Sequence, residues 1–165
     1  MNFRSSDAIA RSGTNAIYTH FLIATDGSDF AWSGVTHGLS LANRLKAKVI
    51  FLHVTEPFPM FDWGSPMSGY SAGAKFVSYE EEGRRFAGQI LDQCNAAADR
   101  LGVQAEAVHL ENRKPAEAIV ELSKTRGCDL VVMAAHGRRG LARLLLGSQA
   151  TEVLSFSTVP VLIVR

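Results

Sequence analysis

The run from 134 to 149, Ala-Ala-His-Gly-Arg-Arg-Gly-Leu-Ala-Arg-Leu-Leu-Leu-Gly-Ser-Gln, holds the residue types best suited to binding chemistry. Gly137 and Gly147 let the main chain approach a bound group closely, as a phosphate requires. A helical pattern opens at Gly147-Ser148, and the first amides of a helix have no partner inside it. The N–H groups of Gly147, Ser148 and Gln149 are therefore candidate anion donors. The Ser148 hydroxyl adds another, and Arg138, Arg139 and Arg143 add positive charge. Plainer readings stand beside these: Ser148 as a helix cap, and the arginines as a solvated helix face. No Walker sequence G-x-x-x-x-G-K-[S/T] is present, and no G-x-G-x-x-G follows a strand.

Other reactive side chains are scattered. Asp26 stands in Thr25-Asp26-Gly27-Ser28, where it either meets a ligand or simply builds a turn. His53 and His136 have no Ser or Cys partner at a recognisable spacing and read as structural. Cys94 and Cys128 form no C-x-x-C pair and suit reduced thiols of a cytoplasmic protein. No arginine–base–carboxylate set has diagnostic spacing, so the expectation is a binding protein rather than an enzyme, with slow cleavage at a phosphate left open.

The elements that must position these residues alternate along the chain. Phe21 to Ala24 is a short apolar run stopped by Thr25 to Ser28, which suits a strand buried on both faces. Ser28 or Asp29 caps a helix in which Ala31, Val35, Gly38, Leu39, Ala42 and Leu45 recur at helical spacing. Lys48 to Val54 reads as a second strand ending at Thr55-Glu56-Pro57. Pro57 to Gly73, rich in proline, glycine and aromatics, reads as a flap with some hydrophobic anchoring, or as an inert insertion. Helix resumes near Tyr79 and runs through Arg100 to a stop at Gly102. Val103 to Val108 alternates like an edge strand. Pro115 opens a helix ended by Gly127, and Asp129 to Met133 is a fourth strand. A loop with a short helix follows, then a last helix from Gly147 to Leu154 and a fifth strand, Val159 to Val164.

This β-α-β-α-β-α-β-α-β order predicts an α/β fold, an open doubly wound five-stranded parallel sheet with helices on both faces. Ligands of such sheets sit beyond the carboxyl ends of the strands, where the winding reverses. The loops after strands one, two and four (Thr25 to Ser28, Val54 to Pro57, Ala134 to Ser148) are thus the candidate site.

Bulk properties narrow the partners. The 165 residues suit one domain, expected over 19–165, behind a flexible leader over 1–18 that lacks the apolar core of a signal peptide. A formal net charge of +1 gives no global field for nucleic acid or an anionic membrane. No apolar run reaches the roughly 18 residues of a membrane span.

The stretch Val131 to Val164, VVMAAHGRRGLARLLLGSQATEVLSFSTVPVLIV, resembles the C-terminal signature of the universal stress protein family. FLIATDGSDFAW and AKVIFLHV resemble that family's first strand and loop and its second strand. The resemblance implies a Rossmann-like, adenine nucleotide alpha hydrolase-like domain that binds ATP, with Mg2+ as a phosphate companion. Gly137, nine residues, then Gly147 and Ser148 match the second half of the family's G-x-x-G-x9-G-[S/T]; Ala134 stands at its first glycine. Arg113 likewise replaces a glycine common before the x-Pro pair. Carried over, Asp26 lies by the ribose and the Val54 backbone at the adenine edge. Gly137, Gly147, Ser148 and Gln149 take the phosphates, with Thr25, Met133, Ala134, His136, Arg138 and Ala150 completing the site. The resemblance also implies a homodimer through Val159 to Val164 and an unidentified protein partner. A nucleotide-free interaction scaffold remains the alternative.

Overall fold

The computed structural model describes residues 17–58, 69–137 and 146–165. Strand β1 (His20–Ala24) leaves no surface of Phe21, Leu22 or Ile23 exposed, because both its faces are covered. Burying such side chains contributes about 1.5–3 kcal/mol each. Helix α1 (Asp29–Leu45) starts where the Ser28 hydroxyl accepts from Ala31 N–H at 3.2 Å, and it closes at Lys46 in the left-handed conformation. Then follow β2 (Lys48–Thr55), α2 (Gly69–Leu101), β3 (Ala105–Glu111), α3 (Pro115–Thr125), β4 (Leu130–Ala134), α4 (Ser148–Phe156) and β5 (Val161–Val164).

All five strands are parallel, in the order β3-β2-β1-β4-β5. The winding reverses between β1 and β4, which is the predicted switch point. Strand alternation sends Phe21, Ile23, Val49, Phe51 and Val132 into one core with α1 and α2. It sends Leu22, Ala24, Ile50, Leu52, Val131 and Met133 into a second core with α3 and α4. The α/β architecture read from the sequence is therefore the observed one.

Several boundaries differ by a residue or more, and three of the differences have a physical reason. Helix α2 begins at Gly69, ten residues before Tyr79, so the end of the expected flap is helical. Glycines at 69 and 73 oppose this by about 1 kcal/mol each. Packing supports the helix, with Phe58 meeting the rings of Phe76 and Tyr79 edge-on at 5.8 and 5.2 Å. The remainder of the flap, 59–68, and the short helix expected before Leu146 fall largely outside the described residues. Strand β3 runs on to Glu111 because β2 offers partners as far as Thr55. Strand β5 starts at Val161, since Pro160 has no N–H to donate.

Candidate functional site

A cavity of about 750 Å³ opens over the carboxyl ends of β1, β2 and β4. Thr25, Asp26, Val54, Met133, Ala134, His136, Gly137, Gly147, Ser148, Gln149 and Ala150 all line it. Of the residues singled out from the sequence, Arg138 lies outside the described ones, as do Arg139 and Arg143.

The turn after β1 is built by side chains. Gly27 N–H donates to Thr25 Oγ1 at 3.2 Å and Ser28 N–H to Asp26 Oδ1 at 3.0 Å. Gly27 itself sits at φ 79°, where L side chains are strained. Asp26 therefore builds the turn and also faces the glycine corner. A Cβ placed on Gly137 would lie 2.5 Å from Asp26 Oδ2, so any larger residue there requires that carboxylate to shift.

Val54 owes its place to β2 parity. Lys48 N–H donates to Thr19 O, and Leu52 O accepts from Thr25 N–H, so even-numbered residues turn their main-chain groups toward β1. Val54 is next in that series, and β1 has ended at Ala24. The carbonyl that would close the next rung, Thr25 O, accepts instead from His53 Nδ1 at 2.9 Å. Among the described residues no backbone partner across this edge takes the Val54 N–H, and Val54 lines the cavity.

The start of α4 supplies further donors. Its first intrahelical bond is Thr151 N–H to Gly147 O at 3.0 Å, leaving the amides of Ser148, Gln149 and Ala150 ahead of the ladder. Gly147 differs from expectation: its N–H donates to Ala135 O at 2.8 Å and is not free for an anion. The first-turn donors thus begin one residue later. The Gln149 side chain is also engaged, its Oε1 accepting from Ala116 N–H at 2.9 Å.

Ala134 continues the alternation of Leu130 and Val132, which places it on the α1 side of the sheet. There α1 passes close, and a Cβ on Gly34 would come within 3.1 Å of Ala134 N. Arg113 stands away from the cavity lining, its guanidinium paired with Glu121 and its N–H bonded to Thr55 O.

The sequence reading missed the wall that α2 builds. Tyr79, Glu82, Gly83, Phe86 and Gln89 line the cavity at spacings of three and four, so the face was written in helical periodicity. Tyr79 Oη donates to Glu56 O at 2.9 Å, and Phe86 meets the buried His53 ring at 5.9 Å. His109 lies 5.8 Å from His53 on the other side, with Nε2 hydrogen-bonded to Thr55 Oγ1 at 2.8 Å. Burial lowers the His109 pKa, Glu111 opposes that shift and Arg84 adds to it. The two thiols lie in the cores away from this site, and burial pushes Cys94 up to about 12 and Cys128 to about 11.

With this geometry in hand, comparison with known proteins is decisive. The sequence model of the universal stress protein family matches residues 17–165. The chain belongs to the universal stress protein family. A universal stress protein of Methanocaldococcus jannaschii is 33% identical over 161 residues, 96% of this chain and 88% of that one. The solved Methanocaldococcus jannaschii protein MJ0577 superposes with a TM-score of 0.72 over 90% of this chain and 96% of its own; at 24% identity it speaks for the fold. A universal stress protein solved in complex with cAMP is 26% identical, with a TM-score of 0.65 over 90% of this chain and 97% of its own. Among the described residues of this universal stress protein, no helix is long and apolar enough to cross a membrane.

Proposed function

We propose that this universal stress protein is a cytoplasmic, ATP-binding regulatory module that works as a homodimer and holds its nucleotide rather than turning it over. One observation carries the reading: Val54, which lies beyond the end of β1, and Ser148 to Ala150, whose amides have no backbone partner among the described residues, line the same cavity. A base needs the first and a polyphosphate the second. The cavity volume falls in the usual range for small-ligand sites, about 300–1,000 Å³. Between the two sets, Leu52, Pro115, Ile119 and Met133 offer an apolar slot for a planar base. The cAMP complex of a relative adds support for an adenine nucleotide.

In this reading Asp26 holds the ribose, and Gly137 leaves the room that its carboxylate needs. Ser148, Gln149 and Ala150 take phosphate oxygens through their amides. Among the described residues no group of three or more His, Cys, Asp or Glu gathers, so Mg2+ is carried chiefly on the phosphates, with Asp26 the carboxylate beside the glycine corner. Calorimetry with ATP, GTP and adenosine tests the proposal, together with a product assay. Saturable heat for ATP without stoichiometric excess of ADP or AMP is expected. No heat and no amide protection at Ser148 to Ala150 in millimolar ATP sinks it, leaving an interaction scaffold.

The dimer uses β5, whose outer edge carries no strand among the described residues. Leu162 is 37% exposed there, and Val161 and Ile163 are half-buried; Val164 is buried in its own core and offers only main chain. Such an edge pairs readily with its own copy across a two-fold axis. Sedimentation should give a dimer for the native chain and a monomer for Leu162→Lys; a native monomer at tens of micromolar rules the dimer out.

A further inference from the structure

We propose that Gln149 is a positioning residue that straps the phosphate-facing corner of α4 to the base-facing wall of α3, so that the two ends of the nucleotide are bound as one unit. This rests on the nucleotide reading above. Helix α3 lacks a cap of its own: Lys114 occupies the cap position and makes no side-chain cap bond. The Ala116 N–H, which a Ser or Asp cap would normally satisfy, donates instead to Gln149 Oε1 at 2.9 Å. A residue of the first turn of α4 thus caps a helix 33 positions earlier in the chain.

The consequence is geometric. Pro115 and Ile119 bring α3 to the apolar slot, while Ser148 and Ala150 bring α4 to the free amides. Beside the apolar core that Ala116 and Ile119 share with Ala150 and Val153, the α4 corner has two polar tethers among the described residues. Gly147 N–H holds it to Ala135 O just past β4, a bond of main chain to main chain. The second tether, to α3, depends on the side chain at 149 alone. Together with that core packing, the side chain fixes how far the amides stand from the slot. A ligand touching one wall is indifferent to this spacing; one spanning both is not.

The test uses the full chain and three probes: ATP, adenosine and inorganic tripolyphosphate. In the native protein ATP should slow amide exchange at Ser148 to Ala150 and at Ala116. Gln149→Leu should weaken ATP roughly three- to tenfold, the loss of one hydrogen bond, while adenosine and tripolyphosphate each change less than about twofold. In that variant ATP should still slow exchange at Ser148 but no longer at Ala116. Gln149→Glu, which keeps the acceptor, should restore slow Ala116 exchange in the ligand-free chain. Equal weakening of ATP and adenosine in Gln149→Leu, or unchanged Ala116 exchange, overturns the strap alone. Failure of the native chain to bind ATP overturns the nucleotide reading, and the positioning role falls with it.

Discussion

The two walls of the cavity come from opposite faces of one sheet and differ in chemistry. On the α3/α4 side stand Ala24, Leu52, Val54, Met133, Pro115, Ile119 and Ala150, an apolar surface edged by main-chain donors. On the α2 side stand His53, Thr55, Tyr79, Phe86 and Gln89, polar and aromatic groups among which the His53 and Phe86 rings meet. Neighbouring residues of β2, His53 and Val54, belong to different walls because successive side chains of a strand point to opposite faces. The two are still coupled. His53 occupies the Thr25 carbonyl on one side, and Val54 keeps an open main chain on the other. A wall that contributes nothing to the apolar slot can therefore shape what the slot presents.

The sharpest break of this comparison is at the glycine corner both walls share. Gly137→Ala puts a methyl group 2.5 Å from Asp26 Oδ2, so either the carboxylate or the loop must move. ATP affinity should fall at least about tenfold, as overpacking of this kind costs about 1–3 kcal/mol, with a small change in Tm. Unchanged calorimetric affinity removes Asp26 and Gly137 from the site.

His53→Leu comes next and tests the coupling. It leaves the carbonyl of Thr25, a residue only 6% exposed, without its donor, which should cost about 1–3 kcal/mol in urea unfolding. ATP affinity should fall with it, because Thr25 O becomes free to accept from the Val54 N–H. A variant that is destabilised yet binds ATP normally separates the walls.

A smaller effect is expected from pH. Burial holds His109 below the ordinary histidine pKa of about 6.5, so the unfolded chain takes up the proton first. The stability tied to neutral His109 is present above that range and lost as pH falls through it toward the lower folded value. Thermal unfolding between pH 7 and 5 should show this slope, and His109→Gln should flatten it. A slope identical in both proteins places the titrating group elsewhere.

The smallest effect is expected at Ala134. Its strand position is on the α1 side, beside Gly34, so Ala134→Gly should alter ATP affinity less than about twofold. A large gain would mean that the methyl group does obstruct the ligand.

What the sequence by itself determined is the order of elements and the switch-point loops. Buried parallel strands must be continuous apolar runs, and Phe21 to Ala24 and Leu130 to Ala134 carry no other local pattern. The glycine corner was legible for the same local reason, since Gly137 and Gly147 mark close main-chain approach. Which hydrogen-bonding groups remain open was decided by tertiary structure. Gly147 N–H is spent on Ala135, the Gln149 side chain on Ala116 and the Thr25 carbonyl on His53. Each of these partners lies far along the chain or in another element, and local spacing carries no record of a donor's eventual acceptor. The α2 wall was decided at the same level: its periodicity announced a helix face, but only packing over β2 turned that face toward the cavity.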